Sequence, residues 1–329
     1  MQFDRYEIAS ERKRLWGQLQ LRGTEAGSSA WGFFLFGVPF IAVGLWVIWI
    51  GLNQTSSAPS QTPASHWILV VFGTVFALSG GMLWGLGWGQ IKANRRRREL
   101  ALRDPARADY PWEEKGFTPP RWSRLTRSVG GLILMALFLS LFNWWAFFDD
   151  GPWPVKIITG IFDLILVFGV GQMGILISRI LKFGPSRIEF ARFPYRPGEP
   201  VSLYWRVPRG VTRATAGTFT LRCVTEWYET HGTGKQQRRI PVREHLWSVT
   251  GHLEQPREIL PGKVETLHFD IPADAAGTSF HHPKAKAVFW ELVIHLDLAG
   301  LDFRETYLVP VYRPPGGGGL EPAPIQLNS

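Results

Sequence analysis

Few residues in this chain of 329 have the type and spacing that chemistry needs. Asp163 stands out as a carboxylate inside a long apolar run, with Asn143 in the preceding run and Gln172 further along its own. An ionised Asp at the centre of a membrane helix costs about 2.5–3.5 kcal/mol on insertion scales, so such a group is protonated, bonded or turned to water. Two readings follow. Asp163 bonds Asn143 or backbone as a structural pair, or these polar groups line a path for a proton or small ion. His268, Asp270, His295 and Asp297 sit at alternate positions of two strand-like segments, and if those strands were neighbours they would form an N/O metal site. Any solvated strand face shows the same spacing, so no metal is expected. Cys223 is the single cysteine, which excludes an intramolecular disulfide and a cysteine-only metal site. It alternates in step with Phe219, Leu221 and Trp227 and reads as a buried thiol. The sequence holds no strand-to-helix phosphate loop, no Gly-x-Ser-x-Gly elbow and no His-Glu-x-x-His pair, so neither an enzyme nor a cofactor is expected.

Two kinds of element must position these groups. Up to about residue 183 the apolar residues cluster into runs, and four of these, 31–52, 66–90, 129–148 and 155–181, match a bilayer core of about 30 Å at 1.5 Å per residue. They lack strand alternation, and a chain crossing lipid must satisfy its own backbone, so each is predicted to be a transmembrane helix. Counted from the outer ends, Asp163 lies about 12 Å deep and Asn143 about 7 Å deep, within reach of each other. Trp31, Trp67, Trp144, Trp145 and Trp153 stand near run ends, where amphipathic rings favour the headgroup level.

Charge sets the orientation, because Lys and Arg near span ends stay on the cytoplasmic side. Arg12, Lys13, Arg14 and Arg22 precede the first span, whereas the connection at 53–65 carries no charge. The loop at 91–128 is basic, with Arg95, Arg96, Arg97 and Arg98 at its start, and Arg179, Lys182 and Arg187 follow the fourth span. Both termini are therefore predicted to be cytoplasmic at the cell inner membrane, with 1–30 a retained N-terminal segment. The net charge of +9 lies largely beside apolar runs, pointing to lipid headgroups and not to nucleic acid. The run Arg95–Arg98 serves topology and is a candidate contact for anionic lipid.

The first two spans repeat each other. Gly37, Gly44 and Gly51 recur every seventh residue, as do Gly73, Gly80 and Gly87, so each helix offers a groove for close backbone approach. The grooves pack the hairpin 31–90 against itself, or Gly37, Gly44, Gly73 and Gly80 form a homo-oligomer face.

Beyond residue 183 alternation takes over. Val288, Trp290, Leu292, Ile294 and Leu296 point one way, and Glu291, His295 and Asp297 the other. With 187–193, 201–207, 218–228, 239–251, 264–271 and 303–312, seven strands separated by Pro and Gly turns predict an all-β, immunoglobulin-like antiparallel sandwich over 184–313. The Gly316–Gly319 tract opens a flexible tail at 314–329. The stretch Ile259-Leu260-Pro261-Gly262, followed by 267–274 and Gly277-Thr278-Ser279-Phe280, resembles the arrestin pattern of a glycine turn, a strand ending in Pro and a Ser-bearing loop. Residues 289–297 and 308–311 look like that domain's last two strands. The chain as a whole is similar to bacterial inner-membrane proteins of unknown function that join a glycine-patterned hairpin to such a sandwich. Resemblance to arrestins implies a protein-binding adaptor without catalysis. The chain has room for one sandwich where arrestins have two, so recognition of phosphorylated receptors does not carry over.

The expectation is thus a membrane-anchored scaffold: two helical hairpins, 31–90 and 129–183, joined by the basic loop 91–128 and presenting a cytoplasmic sandwich to another protein. The alternative is a small-ion or small-solute transport component built on Asp163.

Overall fold

In the computed structural model, the described residues are 1–9, 12–17, 21, 30–53, 64–101, 103–148, 151–233, 236–280 and 286–314. The charge-free connection at 54–63, Asp149 and Asp150 of the next outer turn, Arg22, His281, His282 and the Gly316–Gly319 tract lie outside them. Two compact units form. One takes residues 28–95 and 120–178; the other gathers three separate pieces of chain, 1–27, 96–119 and 179–329.

The helical unit is built from four helices long and apolar enough to cross a membrane. They are α1 (Ala30–Asn53), α2 (Ala64–Leu100), α4 (Arg121–Asn143), which runs on into a π-helical turn at Trp144–Phe148, and α5 (Trp153–Phe183). Helix α2 exceeds its apolar run. Nothing from Gln90 to Leu100 is Gly or Pro, and Arg, Lys, Leu and Glu are good helix formers, so the basic run is the helix's last turns and not the start of a loop. Arginines there also meet the negative end of the helix dipole.

The β1 strand (Arg5–Ala9) and β2 (Lys13–Trp16) come before the helices, and the link from α2 to α4 supplies α3 (Pro105–Asp109) and β3 (Gly116–Phe117). After α5 come β4 (Arg187–Phe190), β5 (Pro200–Arg206), β6 (Arg213–Ala214), β7 (Ala216–His231), β8 (Arg238–Leu253), β9 (Arg257–Glu258), β10 (Val264–Asp270), β11 (Ala287–Asp297) and β12 (Phe303–Val309). They make a six-stranded sheet, β1-β8-β7-β11-β12 with β2 also on β8, a four-stranded sheet, β10-β5-β4-β3, and the small pair β6-β9. These described strands all pair antiparallel, and an isolated parallel bridge joins Tyr195 to Val311.

Both larger sheets turn apolar residues into one core. Trp205 of β5 packs edge-on against Phe219 of β7 at 5.7 Å, and its indole N–H donates to the Tyr307 hydroxyl of β12 at 3.3 Å. The alternation of β11 holds, since Trp290, Leu292, Ile294 and Leu296 are fully buried. Its expected solvent face is in part wrong, because Glu291 is buried too. Cross-strand from Arg222, it accepts that guanidinium's Nε–H at 2.7 Å, as a buried carboxylate must find a donor.

The division by hydropathy needs correcting at two places. Residues 1–30 were set apart as an N-terminal segment, yet Phe3 lies in the sheet core, 5.2 Å from Phe219 and 6.1 Å from Phe269. Gly251 makes room for it, since a Cβ there would stand 2.6 Å from the Phe3 ring. Of the loop 91–128, residues 96–119 also join the sheet unit. Asp104 caps α3, and Trp112 packs among Phe117, Phe190, Phe193, Phe280 and Tyr312.

Candidate functional site

In the helical unit the structure brings Asn143 and Asp163 together. Asn143 Nδ2–H donates to Asp163 Oδ1 at 2.9 Å, linking α4 to α5. The bond forms where α4 widens into its π-helical turn, one residue past Asn143, a geometry often found at functional positions. On α5, one turn before Asp163, Thr159 is buried. One amide, one carboxylate and a hydroxyl can hold a proton or hydrogen-bond a small polar guest, but they form a short row.

The glycines expected to line helix faces meet each other inside the hairpin. A Cβ on Gly44 would stand 2.6 Å from the Gly73 carbonyl and 2.5 Å from the Ala77 nitrogen, and one on Gly80 would stand 2.7 Å from the Gly37 carbonyl. The face considered for a second copy is thus covered by the neighbouring helix of the same chain. Gly81, Gly85 and Gly89, by contrast, have open space beside them. The four arginines Arg95, Arg96, Arg97 and Arg98 occupy successive positions on the last turns of α2, so their side chains fan around the helix instead of lining one stripe.

In the sheet unit the proposed metal quartet is not assembled. His268 and Asp270 are on β10 in the four-stranded sheet, whereas His295 and Asp297 are on β11 in the six-stranded sheet. Spacing along a strand cannot reveal which sheet the strand enters. His268 Nδ1 instead meets Ser202 Oγ at 2.9 Å. Cys223 is buried as expected, and burial pushes its thiol up to about 12, which removes it as a nucleophile at neutral pH.

Three features escaped the sequence. The first is a set of paired charges on β7, β8 and β11: Glu226 accepts from Arg243 Nε at 2.6 Å beside the Arg222–Glu291 pair. His245 lies among them, and burial, followed by the nearby Arg222, pulls its pKa down from 6.5 to about 4, so it is neutral at pH 7. The second is a latch at Asp109. Its carboxylate accepts the Phe280 N–H at 2.9 and 3.0 Å and the Tyr312 hydroxyl at 3.0 Å, while Trp112 Nε1–H donates to that hydroxyl at 2.9 Å. Burial and then Asp109 raise the Tyr312 pKa well above its ordinary value. The third is an exposed rim. The strands β1 and β2 leave Tyr6 52%, Ile8 69% and Trp16 47% exposed, and among the described residues their outer edges pair with no further strand.

No protein-family model matches the sequence, and no curated protein is similar to it. Among solved structures, Spo0M, a sporulation control protein from Bacillus subtilis, matches at 17% identity with a TM-score of 0.25, over 39% of this chain and 49% of that one. The chain thus spans about half the length of that structure, and a likeness at this level carries no argument.

Proposed function

We propose that the chain is a membrane-anchored scaffold whose sheet unit, an arrestin-like sandwich at the cytoplasmic face, binds another protein. The observation that carries the binding role is the rim of β1 and β2, which keeps Tyr6, Ile8 and Trp16 in solvent along edges that pair with no further described strand. Edge strands invite pairing with a partner chain, and exposed aromatic residues are frequent interface anchors. Anchoring has separate support. The sheet unit needs residues from before α1, between α2 and α4, and after α5. Those three pieces can fold together only on one side of a bilayer, which requires each helix pair to cross and return. The Lys and Arg of these same pieces favour the cytoplasmic side.

The test is crosslinking in native membranes followed by identification of what is attached. A recurrent protein partner whose yield drops with Ile8→Lys and Trp16→Lys supports the scaffold. A second reading, transport of a small ion, draws on the Asn143–Asp163 pair beside the π-helical turn. Absence of any partner, together with Asp163-dependent ion flux in liposomes, would favour it.

A further inference from the structure

The turn between β11 and β12 brings Asp302 to His295 and Asp297, so that one ligand atom from each lies within 4.8 Å of the other two. His295 and Asp297 alternate on β11 and so share a face, with His295 Nε2 3.5 Å from Asp297 Oδ1. Asp302 is held in place because its Oδ1 accepts the Leu298 N–H at 3.1 Å, which leaves Oδ2 for a second partner. The end of α5 reaches the same turn. Lys182 Nζ, in the last turn of α5, donates to the carbonyls of Leu301 and Ala299 at 2.8 and 3.1 Å. The ammonium is thus bonded to backbone carbonyls of the turn and lies over the Phe183 ring, and no ion pair joins it to Asp297 or Asp302 among the described contacts. Arg304, the cross-strand neighbour of His295, is exposed.

We infer that His295, Asp297 and Asp302 bind a first-row divalent cation of the Zn2+ type, so that the ion and the end of α5 share one turn. One imidazole nitrogen with two carboxylate oxygens is a borderline donor set, which suits Zn2+ and disfavours Ca2+ and Mg2+, ions that take all-oxygen shells. Ligand atoms around tetrahedral Zn2+ stand about 3.4 Å apart, so a separation of up to 4.8 Å must close by up to about 1.4 Å, within reach of rotation by these partly exposed side chains. Water completes the fourth position. The site stands apart from the scaffold reading, since it uses neither β1 nor β2.

The experiment uses the full chain in detergent, without a polyhistidine tag, stripped with chelator and desalted. It is titrated with ZnCl2 against a fluorescent zinc indicator. About one equivalent should bind, weakened about tenfold or more by His295→Ala and by Asp302→Asn, and unaffected by excess MgCl2 or CaCl2. The His281→Ala/His282→Ala double variant should bind as the native chain does. Asp302→Asn retains an oxygen for the Leu298 N–H, so it tests the site even if His295→Ala folds poorly. Absence of zinc binding, binding that survives Asp302→Asn undiminished, or binding lost in the His281/His282 variant would overturn the assignment.

Discussion

Apart from Trp16 at the rim, the described tryptophans of the sheet unit are buried or half-buried, and those of the helical unit are exposed. Trp205 and Trp290 in the sheet unit are 0% exposed, whereas Trp31, Trp67 and Trp153 in the helical unit are 76%, 70% and 72% exposed. The same side chain has the same tendency to leave water in both places. The contrast is one of exposure: the sheet unit covers Trp205 and Trp290, whereas the helical unit, whose four helices are long and apolar enough to cross a membrane, turns its indoles outward. Glycine follows the same division. In the helices Gly44 and Gly73 let backbones touch, which is how helices associate where burial from water supplies no drive. In the sheet unit Gly251 instead makes way for an aromatic plug.

Trp205→Ala probes this contrast with the largest expected effect. It empties a fully buried indole site and removes the indole's bond to the Tyr307 hydroxyl, a loss of about 3–5 kcal/mol. Trp153→Ala removes an equal side chain from an exposed position and should leave unfolding in micelles nearly unchanged. Hydrogen exchange of the sheet amides reads the first and that of the α5 amides the second. Equal losses would break the comparison.

A smaller but sharper effect is expected at the helix hairpin. Gly44→Leu drives a side chain against backbone atoms of Gly73 and Ala77, which cannot yield as a flexible side chain does, at a cost of about 1–3 kcal/mol or more. Gly81→Leu points into open space and should be neutral. Thermal melting of the two variants in the same detergent separates them. If both melt alike, the glycine contact does not hold the hairpin.

Much of the architecture is legible in the residues themselves. Strand β11 was expected at 288–298 and runs Ala287–Asp297, because strict alternation of large apolar residues leaves little freedom in where a strand lies. Asn143 and Asp163, about 7 and 12 Å from the outer ends of their spans, are within reach of each other, and a hydrogen bond joins them. Strands β1 and β2 were not legible. Edge strands in solvent need no apolar alternation, and their partner β8 lies at the other end of the chain. Glu291 shows a different limit. Alternation assigned it to solvent, and only the neighbouring strand reveals that Arg222 covers it. Asp302 belongs to the same class of miss, since a turn and not a sequence period sets it near His295.

The buried charges of β7, β8 and β11 give the sheet unit a pH dependence. His245 titrates near 6.5 when unfolded and at about 4 when folded, so between these values the unfolded chain binds the extra proton. Stability contributed by the neutral ring is complete above pH 6.5 and is lost as pH falls toward 4. Urea midpoints at pH 7 and pH 4.5 should therefore differ less in His245→Gln than in the native chain. An equal difference in the two would place His245 in water, outside the charge cluster.

The smallest effect is expected at Asp163. Asn143 Nδ2–H donates to Oδ1, and Asn at position 163 offers a carbonyl oxygen of the same shape to that donor. If the pair exists to satisfy two polar groups within the helix bundle, Asp163→Asn should keep folding and abundance close to native, because it preserves the bond and removes the cost of a charge in an apolar medium. Asp163→Leu should do more harm than Asp163→Asn, since it leaves the Asn143 amide unpaired. Melting of the three proteins in micelles orders them. Native abundance of Asp163→Asn with loss of ion flux in liposomes would instead make the carboxylate's charge the functional property, and would turn the helical unit from an anchor into the working part of the molecule.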